Sequence, residues 1–495
     1  MIYTVTSTLP AIHGGRTKSL LARIKFLEEH LNEHSTIITT NYNPHYLYVY
    51  EELKERGLIT DNVVIENIYD WLSGNQLLEK PKVSTWFKKD VKTTKLSMPR
   101  MEVELKNNVA RYYKDDQYFI YRRFYHDTQV VEFEDFMSQF SKRKLERRQY
   151  TQKGTLHRII NFSPVTYYKI CEEYYDKKGN IYLKKYFSDS KENALLYISL
   201  FKDNYPYQFF KTERELFTYY YNHIFNDGNV VFCDARLLDR PLSECNKILK
   251  RVLVFHSTHF VGDKIRGSYK YALNNSEKFE KMITLTDYQK EDIHSEFDIE
   301  DNRIKVIPHF VNKINDNEGL AKKDQFCYVG RIADEKQIDH ILQAYSLFKN
   351  KGYSTKLKIY GKDNNGEIQV LQKLCAKLGI DEHVSFKGYT PNPQSIFQES
   401  IASFLTSKFE GFGLSVMESI NNGCPVISYN IKYGSSELID NNKNGILIEQ
   451  NNINELAKGM EIASNQRMKH VKLSDRYCLK SAINNYKELL KELKC

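Results

Sequence analysis

Residues Phe404–Glu437, FLTSKFEGFGLSVMESINNGCPVISYNIKYGSSE, decide how this chain is read. The stretch opens with an apolar run suited to the end of a buried strand and turns at Glu410-Gly411-Phe412-Gly413. From about Leu414 it takes helical spacing, with Val416, Met417 and Ile420 on one side. A second strand, Pro425–Tyr429, follows. Such a unit places Gly411, Phe412 and Gly413, with the first N–H groups of the helix at Leu414 and Ser415, at the carboxyl end of a parallel sheet. Anions settle there readily. Glu410 and Glu418 lie eight residues apart and can face the same cleft. A carboxylate only accepts hydrogen bonds, so beside an anion site the pair suits a ligand that also carries hydroxyls, as a nucleotide sugar does.

Glu410 to Glu418, with Gly423-Cys424-Pro425-Val426-Ile427 after it, resembles the E-x7-E region of retaining glycosyltransferases of family 4. Upstream, Gln325–Gly330 reads as a strand, and Arg331 and Lys336 stand five apart at a helix entrance. Two fixed cations there can neutralise charge developing on a departing diphosphate, and they match the family's G-R-x4-K signature. Gly14-Gly15, His256 and Gly388-Tyr389 fall in family order and spacing as well. His309 and Phe310 replace the Asn and Gly of the family's Pro-Asn-Gly-Val-Asp boundary.

The resemblance implies an α/β chain of GT-B fold, two Rossmann-like domains, with an antiparallel β-rich insertion in the first. The expected division is 1–70 and 206–310 for the acceptor domain, 71–205 for the insertion, and 311–474 for the nucleotide-sugar domain. Residues 475–495 form a helix that crosses back. It also implies roles. Arg331 and Lys336 stabilise the leaving diphosphate, Glu410 holds sugar hydroxyls and Glu418 the ribose. His256 contacts the transferred sugar, with His259 in reserve, and the backbone near Tyr389 meets the base. Gly14 and Gly15, with Arg16 beside them, approach the diphosphate from the first domain.

At 495 residues the chain has room for two or three domains, each with its own core. No apolar run approaches the ~20 residues of a membrane span, and the first residues do not read as a signal peptide. The expected location is therefore the cytoplasm, with the inner membrane face as the place where a lipid-linked polymer would be met. Eight cysteines are scattered without a C-x-x-C pair, which reads as reduced thiols rather than a metal centre. A net charge of +9 suits a negatively charged partner.

In chain order, Ile2–Thr6 is a β-branched strand. Ser19–Leu31 has apolar residues at helical spacing, and Thr36–Thr40 is the next strand, so the chain begins with a βαβ unit whose first turn holds His13-Gly14-Gly15-Arg16-Thr17. Between Lys80 and Arg100 seven Lys or Arg face a single acid, Asp90, with Trp86 and Phe87 among them. Beyond it, 109–136 and 148–187 alternate polar and aromatic residues in strand fashion, with turns at Asp115-Asp116 and Asp176–Asn180. This part resembles the β-rich domain of bacterial poly(glycerol-phosphate) and poly(ribitol-phosphate) glycosyltransferases and related protein O-glycosyltransferases, where it serves oligomerisation and acceptor handling. It carries no ribonucleoprotein-type motif, so nucleic acid is not an expected partner. Buried parallel strands resume at Asn229–Asp234 and Arg251–His256.

No D-x-D set stands where it would chelate a metal on a diphosphate, so no metal and no cofactor are expected. Three readings follow. The first is an α-glucosyl transfer from UDP-glucose to a poly(glycerol-phosphate) acceptor, by a homo-oligomer with a trimer favoured. The second transfers N-acetylglucosamine to poly(ribitol-phosphate) or to serine-rich protein. In the third, the chain is a non-catalytic glycan-binding partner of an active transferase; intact Arg331, Lys336, Glu410 and Glu418 argue against it.

Overall fold

A computed structural model describes residues 2–10, 14–74, 91–312, 322–363 and 366–494. His13, the part of the basic run from Lys80 to Asp90 with Trp86 and Phe87, and Cys495 lie outside the described residues. By contacts between residues the chain divides into two compact units, Met1–Arg251 and Val252–Cys495.

The first unit contains four parallel strands in the order Val230–Cys233, Ile2–Thr6, Ser35–Thr39, Val64–Asn67. These short β-branched runs are buried almost throughout, as strands covered on both faces must be. The helix Gly15–Leu31 lays Leu20, Leu21, Ile24 and Leu27 on this core. Arg23 on the same helix is buried too, because its guanidinium grips Asp234 with both nitrogens, at 3.0 and 2.5 Å, and lies 4.8 Å above the Phe232 ring. The helix that begins at Gly15 is thereby pinned to the end of a strand.

The same unit carries ten antiparallel strands, from Glu102–Lys106 to Tyr205–Phe210, arranged in sequence order. Asp115 and Asp116 take positive φ at a two-residue hairpin turn, which Asp tolerates better than most residues. Asp176 and Asn180 close another turn through a backbone hydrogen bond of 2.8 Å. Tyrosines join this sheet to the parallel one. Tyr42 packs edge-on against Tyr69 and Tyr174, with centroids 5.2 Å away in both cases, and Arg158 sits 4.1 Å over the Tyr42 ring. Buried Lys185 donates to the Tyr69 hydroxyl at 2.7 Å and pairs with Glu213. Tyrosine suits such a seam, since its ring is apolar and its hydroxyl finds a partner when buried.

The second unit begins with parallel strands Lys250–Val254, Lys281–Thr284 and Ile304–Val306. It continues into six parallel strands in the order Val384–Gly388, Lys356–Tyr360, Gln325–Val329, Ala402–Leu405, Val426–Tyr429, Gly445–Ile448. The final helix, Leu479–Lys494, returns to the three-stranded part. Glu492 pairs with Lys281 at 2.7 Å and Lys305 at 2.5 Å, while Leu489, Leu490 and Leu493 are buried. The thiols of Cys233, Cys245, Cys327, Cys375 and Cys424 are free and buried.

Within the tyrosine seam, His157 is buried and bonded to the Tyr42 hydroxyl. Burial, with Arg158 beside it, pushes its pKa down to about 3. Because the folded value lies below the unfolded one of ~6.5, this contribution to stability is complete above pH ~6.5 and is lost as pH falls toward 3. Denaturant unfolding between pH 6 and 4.5 should show a loss from this residue approaching about 1.4 kcal/mol per pH unit. His157→Gln should remove that slope; a variant with the wild-type slope would refute the assignment.

Candidate functional site

In the six-stranded sheet, Gln325–Val329 is flanked on one side by the next strand in sequence, Lys356–Tyr360, and on the other by Ala402–Leu405. The chain therefore leaves these strands in opposite directions, and a crevice opens at their carboxyl ends, the usual ligand position in such sheets. Two loops border it. One carries Arg331 and Lys336, the other Ser407 and Glu410. Lys336 Nζ donates to Glu410 Oε1 at 2.5 Å, and Ser407 Oγ donates to the same oxygen at 2.8 Å. The Thr406 hydroxyl donates to the carbonyls of Lys336 at 2.9 Å and Gln337 at 3.1 Å, locking the loops together. Glu410 Oε2 receives no hydrogen bond from any described residue. Arg331 is half exposed and turned to Glu335, 2.9 Å away.

The helix Leu414–Asn421 follows Gly413, which has φ +90° and offers no side-chain cap. Val416 and Met417 donate to the Gly413 carbonyl at 3.0 and 3.2 Å. The N–H groups of Leu414 and Ser415 come before any intrahelical acceptor and are left for a ligand. Val416, Met417 and Ile420 are buried, and half-buried Glu418 shares the face of Leu414, one turn on. The turn before this helix is clamped. A Cβ on Gly411 would overlap the carbonyl of His256, and one on Gly434, at φ +94°, would overlap that of Phe412. Glu410 N donates to Lys432 O, and Tyr433 N to Glu410 O, each at 3.1 Å.

His256 thus lies against the motif turn. Its ring stacks on His309 at 6.2 Å, and His309 meets Phe412 edge-on at 5.0 Å. His259 is in a different position. It is fully buried, stacked parallel to Tyr433 at 6.0 Å, and its ring nitrogens have no hydrogen-bond partner among the described residues. Burial pushes its pKa down to about 4, so the ring is neutral near pH 7. Of the two histidines, only His256 is partly open to solvent.

Tyr389 follows Gly388 at a strand end and is 57% exposed. Gly14, Gly15 and Arg16 belong to the first unit. Gly14 caps the helix Gly15–Leu31 with extended backbone, and a Cβ there would meet nothing, so the fold itself does not demand a glycine. Arg16 is exposed. The structure therefore gathers Lys336, Glu410, Gly411–Ser415 and His256 around one turn, with Arg331 at its rim. Sequence reasoning missed Ser407 and Thr406, polar residues at the end of an apolar strand. It also treated His309 only as a departure from a pattern.

Comparison with known proteins extends this picture. Residues 311–477 match the family model described as glycosyl transferases group 1. The poly(glycerol-phosphate) alpha-glucosyltransferase of Bacillus subtilis (strain 168) is 27% identical, over 96% of this chain and 71% of that protein. The poly(ribitol-phosphate) alpha-N-acetylglucosaminyltransferase of Staphylococcus aureus (strain COL) is 26% identical, over 94% and 92%. The crystal structure of TarM superposes with a TM-score of 0.83 at 23% identity, covering 100% of this chain and 98% of that one, and shares its GT-B fold. With the cation pair, the E-x7-E turn and the GT-B architecture agreeing, this chain is a family-4-like, group 1 glycosyltransferase homologous to the poly(glycerol-phosphate) and poly(ribitol-phosphate) transferases.

Proposed function

We propose that this protein moves α-glucose from UDP-glucose to glycerol-phosphate units of wall teichoic acid, with retention at the anomeric carbon and without a metal. The observation that carries the reading is the Lys336–Glu410 pair beside an uncapped helix N-terminus. It sits in a chain similar over 96% of its length to a poly(glycerol-phosphate) alpha-glucosyltransferase. The diphosphate would rest on the Leu414 and Ser415 amides, with Lys336 beside it and Arg331 swung from Glu335. Glu410 Oε2 would accept a sugar hydroxyl while Oε1 stays with Lys336. Glu418 would hold the ribose and His256 the sugar. The acceptor oxygen attacks the anomeric carbon from the face that UDP leaves, the bond from that carbon to the phosphate oxygen breaks, and a diphosphate oxygen takes the acceptor's proton. Arg331, Lys336 and the helix dipole offset the charge that develops on UDP.

Similarity to the Staphylococcus aureus relative, over 92% of its length, supports a second reading with N-acetylglucosamine as the sugar and poly(ribitol-phosphate) as the acceptor. Assembly as a homotrimer through the antiparallel sheet accompanies either reading. It is supported by exposed Tyr205, Tyr207 and Phe209 in a row on an edge strand, which invites pairing. Among the described residues no helix is long and apolar enough to cross a membrane, in keeping with work at the inner face of one.

UDP release by the purified protein in EDTA should require both UDP-glucose and poly(glycerol-phosphate). Release from UDP-N-acetylglucosamine with the ribitol polymer alone would establish the second reading, and release that stops in EDTA and returns with a divalent cation would overturn the metal-free chemistry. Lys336→Ala should lower kcat by roughly 10²–10³-fold at saturating substrates, while thermal unfolding shows the fold retained. Full activity in that variant would sink the role given to this cation.

A further inference from the structure

The first unit has a switch point of its own. Ile2–Thr6 has the next strand in sequence, Ser35–Thr39, on one side and Val230–Cys233 on the other. A cavity of about 310 Å³ lies off these strand ends, lined by Ser7, Thr40 and Leu238 together with Lys211, Glu213 and Arg214 at the start of the helix Glu213–Ile224.

Its charges are unbalanced in one direction. The Glu213 carboxylate is held by Lys185, whose own side chain is buried under the antiparallel sheet. Glu215, two residues on, accepts the Lys211 backbone N–H at 2.8 Å. The side chains of Lys211 and Arg214 are exposed and make no hydrogen bond or ion pair with any described residue. On the wall, Thr40 is 1% exposed, and its hydroxyl has no hydrogen-bond partner among the described residues. The local acids are thus occupied, and two cations stand at the mouth of a crevice in the position where parallel sheets bind ligands.

We infer that this crevice is an acceptor subsite that takes one phosphodiester of a polyol-phosphate chain, an identity of ligand that rests on the acceptor class proposed above. Arg214 and Lys211 bind the phosphate oxygens by charge-assisted hydrogen bonds. The cavity is at the small end of ligand sites, a size for a polyol-phosphate repeat rather than a whole nucleotide sugar. Lys185 gives the inserted sheet a part in this, because without it Glu213 would present an unpaired negative charge to the polymer.

The test compares the wild-type chain with the double variant Lys211→Ala/Arg214→Ala. A control, Lys177→Ala/Lys178→Ala, removes the same charge from the exposed turn Asp176–Asn180 of the antiparallel sheet. The probe is a short glycerol-phosphate oligomer, titrated calorimetrically at low salt, with UDP titrated in parallel. The double variant should bind the oligomer roughly tenfold more weakly, and KM for the polymer should rise to match. UDP binding, kcat at saturating polymer, and the control variant should stay at wild-type values. Oligomer affinity and KM unchanged in the double variant, an equal loss in the control, or no oligomer binding by the wild type would each overturn the subsite. The two readings fail separately. Oligomer binding that depends on Lys211 and Arg214 without glucose transfer would keep the crevice and remove the reaction. Glucose transfer with an unchanged KM in the double variant would do the reverse.

Discussion

Backbone passing against backbone at the 410–413 turn is the constraint on which the second unit depends. Gly411 lies against the carbonyl of His256, and Gly434 against that of Phe412, with no room at either place for a β-carbon. Protein interiors are packed too densely for such contacts to relax independently. The turn therefore has one position, and that position sets where Glu410 points, where the helix Leu414–Asn421 begins, and how near His256 comes to both. Larger residues at these glycines would displace the turn and with it the start of the helix Leu414–Asn421.

On this frame the electrostatics are simple. A lysine and a glutamate 2.5 Å apart and mostly shielded from water neutralise each other, and Ser407 adds a second hydrogen bond to the shared oxygen. Half of the carboxylate and the first helix amides remain for a ligand. Lys336 is thus already fixed at the turn by these contacts.

The antiparallel sheet is joined to the parallel strands of the first unit by polar contacts inside an aromatic seam. Lys185, Tyr69 and Glu213 form one chain of contacts, Tyr42, His157 and Arg158 another. Buried groups of this kind are costly unless every one is partnered, so they favour a single docking of the sheet over many greasy alternatives. Through Glu213 the same contacts reach the edge of the crevice lined by Lys211 and Arg214.

Local rules made much of this legible in the chain alone. The strand Ile2–Thr6, the helix start at Leu414 and the turn at Asp115-Asp116 follow from periodicity and from residues that tolerate positive φ. Where those rules lack a signal, the reading drifted. The first helix begins at Gly15 rather than Ser19 because its exposed opening turn carries no apolar period, and the last begins at Leu479 after a short turn at Asp475–Tyr477. Arg331, Lys336, Glu410 and Glu418 stood out by spacing and resemblance. Their partners did not: Lys336 and Glu410 are 74 residues apart in the chain, and Ser407, His309 and the crevice at Lys211 become visible only when strands that are distant in sequence lie side by side. The sequence by itself determined which segments are strands, helices and turns, because those depend on neighbours a few residues away. Which side chains meet, which histidine is sealed and which is open, and why Gly411 must be glycine were decided by tertiary structure, because only strand order and close packing bring those atoms together.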